Sequence, residues 1–139
     1  MPGLLQNQGL RALRAFVRHS GDRRLERTIG SERGLARVFR GAAARFDPAR
    51  SDGFTGELQF DLRRSRGTMS HWVITVAHQR ATARPGTTEG PALTAQLPVA
   101  DAIRILAGEL DAGAAVLEGR LDLIGDFGVA RLLGPMFGA

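Results

Sequence analysis

The side chains that could do bond chemistry are few and scattered along the 139 residues. There is no cysteine, so a thiolate nucleophile, a disulfide framework and a zinc knuckle are all excluded. His19, His71 and His78 have no carboxylate or second histidine at the spacing of metal ligands. Ser70 precedes His71 directly, but adjacency in sequence does not make a nucleophile and base pair. The sequence therefore predicts no catalytic residue, no metal ion and no cofactor.

What the chain does offer is apolar side chains that could converge on a cavity. A pocket for an apolar ligand needs such side chains from a sheet face and from helices on either side of a gap. The predicted strands supply Leu58, Phe60, Trp72, Ile74, Val76 and Leu97. The predicted helices supply Ile103, Leu106, Val116, Leu117, Phe127, Leu132, Leu133, Met136 and Phe137. The alternative is that all of these residues form an ordinary core.

The basic residues are the second group of candidates. All 19 are arginine, which we attribute to the codon bias of a GC-rich, bacterial genome. Residues 1–50 hold 11 of them against 4 acidic residues, whereas the remainder holds 8 against 10. A basic arm on a near-neutral body predicts an anionic partner.

Most of this charge lies in two stripes at helical spacing. They are Arg11, Arg14 and Arg18, and then Arg33, Arg37 and Arg40. Such stripes are most often solvated surface; if functional, they predict peripheral contact with an anionic membrane or with coenzyme A phosphates. Nucleic acid is not predicted as a partner, because no DNA- or RNA-binding motif is present.

Three helices are predicted in the first 50 residues. Residues 6–19 fit an amphipathic helix, and Asp22 could cap a short helix that runs through Ile29. Ser31 is the expected N-cap of a third helix, which ends at Asp47-Pro48. Its buried face is predicted to be Leu35, Val38, Phe39, Ala42 and Phe46.

Four strands are predicted next. In the first, Leu58, Phe60 and Leu62 alternate with Glu57, Gln59 and Asp61, which predicts one buried and one wet face. Residues 72–77, 80–84 and 92–97 follow, with 84–91 as an exposed loop.

The remaining residues are predicted to form helices around one more strand. A helix starts after Pro98 and buries Val99, Ala102, Ile103 and Leu106. Asp111 and Asp126 are expected helix caps on either side of a strand at 119–124, and Gly134-Pro135 should break the last helix. Grouped strands with segregated helices predict an α+β fold whose helices cover one sheet face.

Four stretches in this order resemble the sterol carrier protein 2 family over residues 31–138. They are Phe54-Thr-Gly-Glu-Leu-Gln-Phe-Asp-Leu62, Trp72-Val-Ile-Thr-Val76, Leu97 to Asp111, and Glu118 to Phe137. The resemblance implies a five-stranded, mostly antiparallel sheet and an apolar tunnel that carries sterols, fatty acids or acyl-CoA. Relatives often join the second and third strands through an Asp-Gly turn, whereas this chain has Ala77-His78-Gln79.

The predicted organisation is therefore a basic helical arm at residues 1–30 and a lipid-binding body at residues 31–139, forming one compact domain. The arm could pack as an extra helix, pair with a second copy, or stay mobile. We expect non-catalytic binding and transfer of an apolar lipid-like ligand, gated by Met136 and Phe137. One alternative is an enzyme or biosynthetic accessory that holds an apolar intermediate in the same cavity; another is an interaction module whose basic arm docks a partner while the cavity is collapsed. Because no signal peptide or membrane-spanning stretch is evident, the expected location is the cytoplasm; ligand identity and oligomeric state are left open.

Overall fold

The structure is a computed structural model that describes residues 11–138. Its helices are α1 at residues 11–18, α2 (Asp22–Arg27), α3 (Glu32–Ala44), α4 (Val99–Leu106), α5 (Ala112–Leu117), α6 (Phe127–Ala130) and α7 (Leu133–Met136). Its strands are β1 (Gly56–Arg63), β2 (Met69–Ala77), β3 (Arg80–Pro85), β4 (Leu93–Pro98) and β5 (Asp122–Gly125). A 3-10 helix at Pro48–Arg50 leads from α3 towards β1.

The five strands form one sheet in the order β3-β2-β1-β4-β5. Every neighbouring pair is antiparallel except β1 and β4, which run parallel. In the register of the sheet, Phe60 lies between Trp72 on β2 and Ala95 on β4. The predicted α+β class with a five-stranded, mostly antiparallel sheet is confirmed.

One face of the sheet is apolar and is covered by helices. Leu58, Phe60 and Leu62 are buried on β1, as their alternation predicted. Helix α3 packs on β2 and β3, while α4 packs on β1 and β4. The core therefore lies between the sheet and these two helices.

Helices α1 and α2 belong to this same body. Val17 and Leu25 are buried in the core, and the Arg14 side chain donates to the Ala107 carbonyl at 2.7 Å. Residues 11–30 thus pack as extra helices; the predicted helix residues 6–10 lie outside the described part. The prediction that Asp22 caps α2 is wrong, because the N-cap is Gly21 and the Asp22 carboxylate pairs instead with Arg104.

Helix α3 follows its sequence pattern closely. The predicted N-cap is confirmed, since the Ser31 hydroxyl accepts from the Gly34 N–H at 3.1 Å. Leu35, Val38, Phe39 and Ala42 are buried, whereas Phe46 is only partly buried. The helix ends at Ala44, before the predicted Asp47-Pro48 boundary.

The opposite sheet face is less exposed to solvent than its polar side chains predicted. Gln59 is only 5% exposed, because the loop after β3 folds across it. The side-chain Oε1 of Gln59 accepts from the Thr88 N–H at 2.9 Å, and its side-chain Nε2 donates to the Gly86 carbonyl at 3.3 Å. The buried amide is satisfied by a loop that the sequence pattern placed in solvent.

The C-terminal segment has the predicted caps but different boundaries. Asp111 and Asp126 cap α5 and α6 by accepting from Ala114 and Gly128. The predicted strand at 119–124 is shorter and shifted, at Asp122–Gly125. The prediction that Gly134-Pro135 breaks the last helix is also wrong: both residues lie inside α7, where proline in the first turn removes no intrahelical bond.

Candidate functional site

The structure brings most of the predicted cavity residues together in one packed core. Nine are buried: Leu58, Phe60, Trp72, Ile74, Val76, Leu97, Ile103, Met136 and Phe137. Leu106, Leu132 and Leu133 are partly buried and pack against the same cluster. Twelve of the fifteen residues therefore face the space between the sheet and the helices.

The other three predicted residues face solvent. Val116 is 39% exposed, Leu117 is 90% exposed and Phe127 is 64% exposed. Helix α5 buries Ala115 instead, and α6 buries Val129. These short helices each turn a single residue inward, so the expectation that these three side chains point into the interior is wrong.

The aromatic rings of the core form a stack that the sequence identified only in part. Phe39 from α3 lies parallel to Trp72 at a centroid distance of 5.1 Å. It also meets Phe60 edge-on at 5.2 Å. Helical periodicity marked Phe39 as buried, but nothing in the sequence showed that it faces these two strand residues.

The C-terminal residues close one end of the core. Met136 is fully buried, and its carbonyl accepts from the Asp47 N–H at 2.7 Å. The Arg45 Nε donates to the Phe137 carbonyl at 3.2 Å, and the rings of Phe46 and Phe137 lie 5.9 Å apart. The segment proposed as a lid is thus docked onto the end of α3.

A groove of about 420 Å³ runs alongside α3. It is lined by Leu13, Thr28, Ile29, Ser31, Arg33, Gly34, Arg37, Val38 and Arg45. Val38 is buried, and Leu13 and Ile29 pack against the core, so the floor of the groove is continuous with the apolar interior. None of the fifteen predicted cavity residues lines it.

A second depression of about 500 Å³ lies around the turn after β2 and is lined by Thr75, Ala77, His78, Arg80 and Thr82.

Arg45 is the most enclosed cation beside this groove. Its two hydrogen bonds go to the carbonyls of Phe137 and Leu106, and no described carboxylate pairs with it. Burial lowers the pKa of the Arg45 guanidinium from its ordinary value, and the nearby charge of Arg14 lowers it further. The sequence missed this residue because it follows the last residue of α3 and belongs to neither stripe.

The two predicted arginine stripes differ in the structure. In the first, Arg14 is held by the Ala107 carbonyl and Arg18 pairs with Glu109 at 3.1 Å. Arg11 is exposed, as are all three members of the second stripe, Arg33, Arg37 and Arg40. The second stripe is therefore a basic surface that a partner can reach without breaking an ion pair among the described residues.

The structure does not bring together the groups that resembled catalytic residues. His71 pairs with Asp61 at 2.7 Å on the polar sheet face. Ser70 points to the other face, because neighbours on a strand alternate, and its hydroxyl donates to Glu32. Within residues 11–138, no three potential metal ligands cluster. In that same range, no helix has the length and apolarity needed to cross a bilayer.

Comparisons with known proteins place this fold. The SCP-2 sterol transfer family model matches residues 39–138, which is more than half of the chain. No curated protein matches it. Sterol carrier protein 2 like 2 from Aedes aegypti is similar in structure, with a TM-score of 0.60 and 21% identity, over 83% of this chain and 98% of that one. A palmitated form of that protein has a TM-score of 0.58 and 21% identity, over 73% and 88% of the two chains.

A region of a longer enzyme has the same fold. The stereoselective inverting sec-alkylsulfatase from Pseudomonas sp. matches with a TM-score of 0.61 and 24% identity over 76% of this chain. The match spans only 16% of that enzyme. At these identities the structural likeness establishes the fold, and the matched sequence model establishes the family: the chain belongs to the SCP-2 sterol transfer family.

Proposed function

We propose that this protein binds and transfers an apolar lipid-like molecule, such as a sterol, a fatty acid or an acyl-CoA, without chemical change. The observation that carries the proposal is the family match together with an interior made of apolar side chains between sheet and helices. The ligand site consists of the predicted cavity residues that face this interior, with Phe39 added. The palmitated relative supports a long alkyl chain as the guest.

Binding requires the interior to open around its guest. Burying a sixteen-carbon chain gains on the order of 12 kcal/mol at ~0.8 kcal/mol per CH₂. Association costs ~4–15 kcal/mol, so apolar burial alone reaches useful affinity. The groove beside α3 is the mouth of the site, since its floor joins the core and its volume of about 420 Å³ is that of a small-molecule pocket. The docked segment at Met136 and Phe137 is the gate.

The same proposal assigns roles to the rest of the chain. We assign the ligand-binding body to residues 31–139, and the basic helices at residues 11–30 pack against it and complete its core. The exposed arginines Arg11, Arg33, Arg37 and Arg40 contact anionic membranes peripherally, and two of them rim the groove. We place the protein in the cytoplasm, where it exchanges lipids with a membrane surface.

A filling substitution tests whether the interior takes a ligand. Ala95 is buried on the apolar sheet face beside Phe60, so Ala95→Leu adds volume where the guest would lie. We expect it to weaken binding of a pyrene-labelled fatty alcohol by at least tenfold. Circular dichroism checks that the variant is still folded. Leu117→Ala, at an exposed site, is the matched control and should leave binding unchanged. Absence of any lipid in native mass spectra, with no probe binding by the unmodified chain, would refute the proposal.

Vesicle sedimentation tests the membrane contact. Replacing Arg33, Arg37 and Arg40 by Gln should weaken binding to phosphatidylserine vesicles on the order of 100-fold, at ~1 kcal/mol per arginine. The matched control replaces Arg63, Arg66 and Arg131, which are also exposed and lie outside α3. If the two triple variants lose vesicle binding equally, net charge alone determines the membrane contact and the position of the arginines does not.

The likeness to part of an alkylsulfatase favours a second candidate function. There the fold is one region of an enzyme, which suggests a module that holds an apolar intermediate for reaction elsewhere. Incubation of this protein with a long-chain alkyl sulfate or acyl-CoA, followed by mass spectrometry, separates the two functions. A carrier returns its ligand unchanged, whereas any product would favour the enzyme.

A further inference from the structure

The indole N–H of Trp72 is a buried hydrogen-bond donor without an acceptor among the described residues. The side chain is only 2% exposed, and one face of its ring is covered by Phe39. More than about 90% of buried polar groups in proteins are paired, and an unpaired one costs about 1–3 kcal/mol. This position therefore calls for an acceptor that residues 11–138 do not supply.

No ion pair explains this donor. The Nη1 atom of Arg104 also lacks a hydrogen bond, but it lies in ion-pair contact with Asp22 and Asp101. Trp72 differs, because its indole N–H takes part in no ion pair and in no hydrogen bond among residues 11–138.

We propose that Trp72 donates this hydrogen bond to an oxygen atom of the molecule that the interior binds. The inference rests on the proposed lipid-binding function and adds a ligand class to it. The guest is a long apolar molecule that carries an uncharged acceptor, as a hydroxyl, ester or carbonyl oxygen. An ionised carboxylate does not suit this position, because burial without a cation in an apolar cluster would strongly disfavour its charge.

The single tryptophan makes the hydrogen bond directly observable. A ¹⁵N-labelled sample gives one indole cross-peak, since the chain contains one Trp. Saturation with dodecan-1-ol should move the indole proton downfield and slow its exchange with water. Saturation with dodecane should leave both properties close to those of the free protein. Equal responses to the two ligands would overturn the inference.

Affinities give a second measurement that separates the inference from the proposed function. Trp72→Phe should weaken binding of dodecan-1-ol roughly 2- to 10-fold more than it weakens binding of dodecane. That difference is the net effect of one neutral hydrogen bond. Phe60→Leu is the matched control, because it changes a ring of the same cluster without removing a hydrogen-bond donor. The affinities for both ligands should therefore fall equally. If both ligands bind and Trp72→Phe affects them alike, the inference fails and the carrier function stands. If neither ligand binds to the unmodified chain, both fail.

Discussion

Glu57 shows how single side chains fix the loop over the polar sheet face. Its carboxylate accepts from the Thr88 hydroxyl at 2.6 Å and from the Thr75 hydroxyl at 3.1 Å, and Arg84 lies 3.6 Å away. The hydrogen bond from Thr88 is the main cause that holds the pKa of Glu57 below its usual 4.5, while burial opposes it. A lowered folded-state pKa means that the folded protein binds fewer protons than the unfolded chain near pH 4.5. This stabilisation is therefore present above that pH and is lost as the pH falls through the folded-state pKa.

The first prediction concerns the hydroxyl of Thr88, which is the main hydrogen-bond donor to Glu57. Thr88→Val should raise the pKa of Glu57 towards its usual value and lower the free energy of unfolding by about 1 kcal/mol at neutral pH. Because the pKa gap between folded and unfolded states shrinks, stability should also depend less steeply on pH as the pH falls below 4.5. Carboxyl ¹³C NMR and urea titrations measure the two effects. Thr87→Val is the matched control on the same loop, and an equal loss there would contradict the assignment to Thr88.

Individual side-chain environments were the least predictable level. Alternation on β1 correctly separated Leu58, Phe60 and Leu62 from the polar face. It could not show that a loop near residue 88 returns to bury Gln59, because that contact joins residues 29 apart. The same limit applies to Trp72: its burial followed from the strand pattern, but its missing acceptor depends on every side chain around it.

At the scale of elements, the turn between β2 and β3 stores backbone strain. The hairpin has two loop residues, His78 and Gln79, with φ values of 53° and 62°. Positive φ at both positions is the signature of a type I′ turn, which favours Asn-Gly or Asp-Gly because other residues pay a steric cost. The sequence therefore left the turn type open, and the flanking strand pairing imposes a conformation that its residues do not prefer.

The second prediction concerns a substitution that should relieve this backbone strain. Gln79→Gly should raise the free energy of unfolding by about 1 kcal/mol, since the left-handed region costs a non-glycine residue ~1–2 kcal/mol. Chemical denaturation measures the change. Arg80→Gly, one residue later on β3, is the control and should instead lose roughly 0.5–1 kcal/mol. A loss of stability in both variants would mean that the turn is unstrained.

At the scale of the whole molecule, residues distant in sequence close the apolar core together. Residues 11–30, called an arm from their charge, contribute Val17 and Leu25 to the core and tie their polar atoms to α4 and the turn after it. Periodicity identified the apolar faces of these helices, but composition overstated their independence. Charge counts do not reveal that arginines such as Arg14 satisfy backbone carbonyls instead of facing solvent.

The third prediction tests whether the C-terminal segment is part of this closure. Phe137 is 3% exposed and packs against Phe46, so Phe137→Ala should leave a cavity and cost about 3–4 kcal/mol of unfolding free energy. Phe127→Ala, a change of the same chemistry at a side chain that is 64% exposed, should cost no more than about 0.5 kcal/mol. If the segment also gates the interior, the Phe137 variant should exchange bound lipid faster than the Phe127 variant does. Equal stability and equal exchange rates in the two variants would show that the segment neither seals the core nor controls access to it.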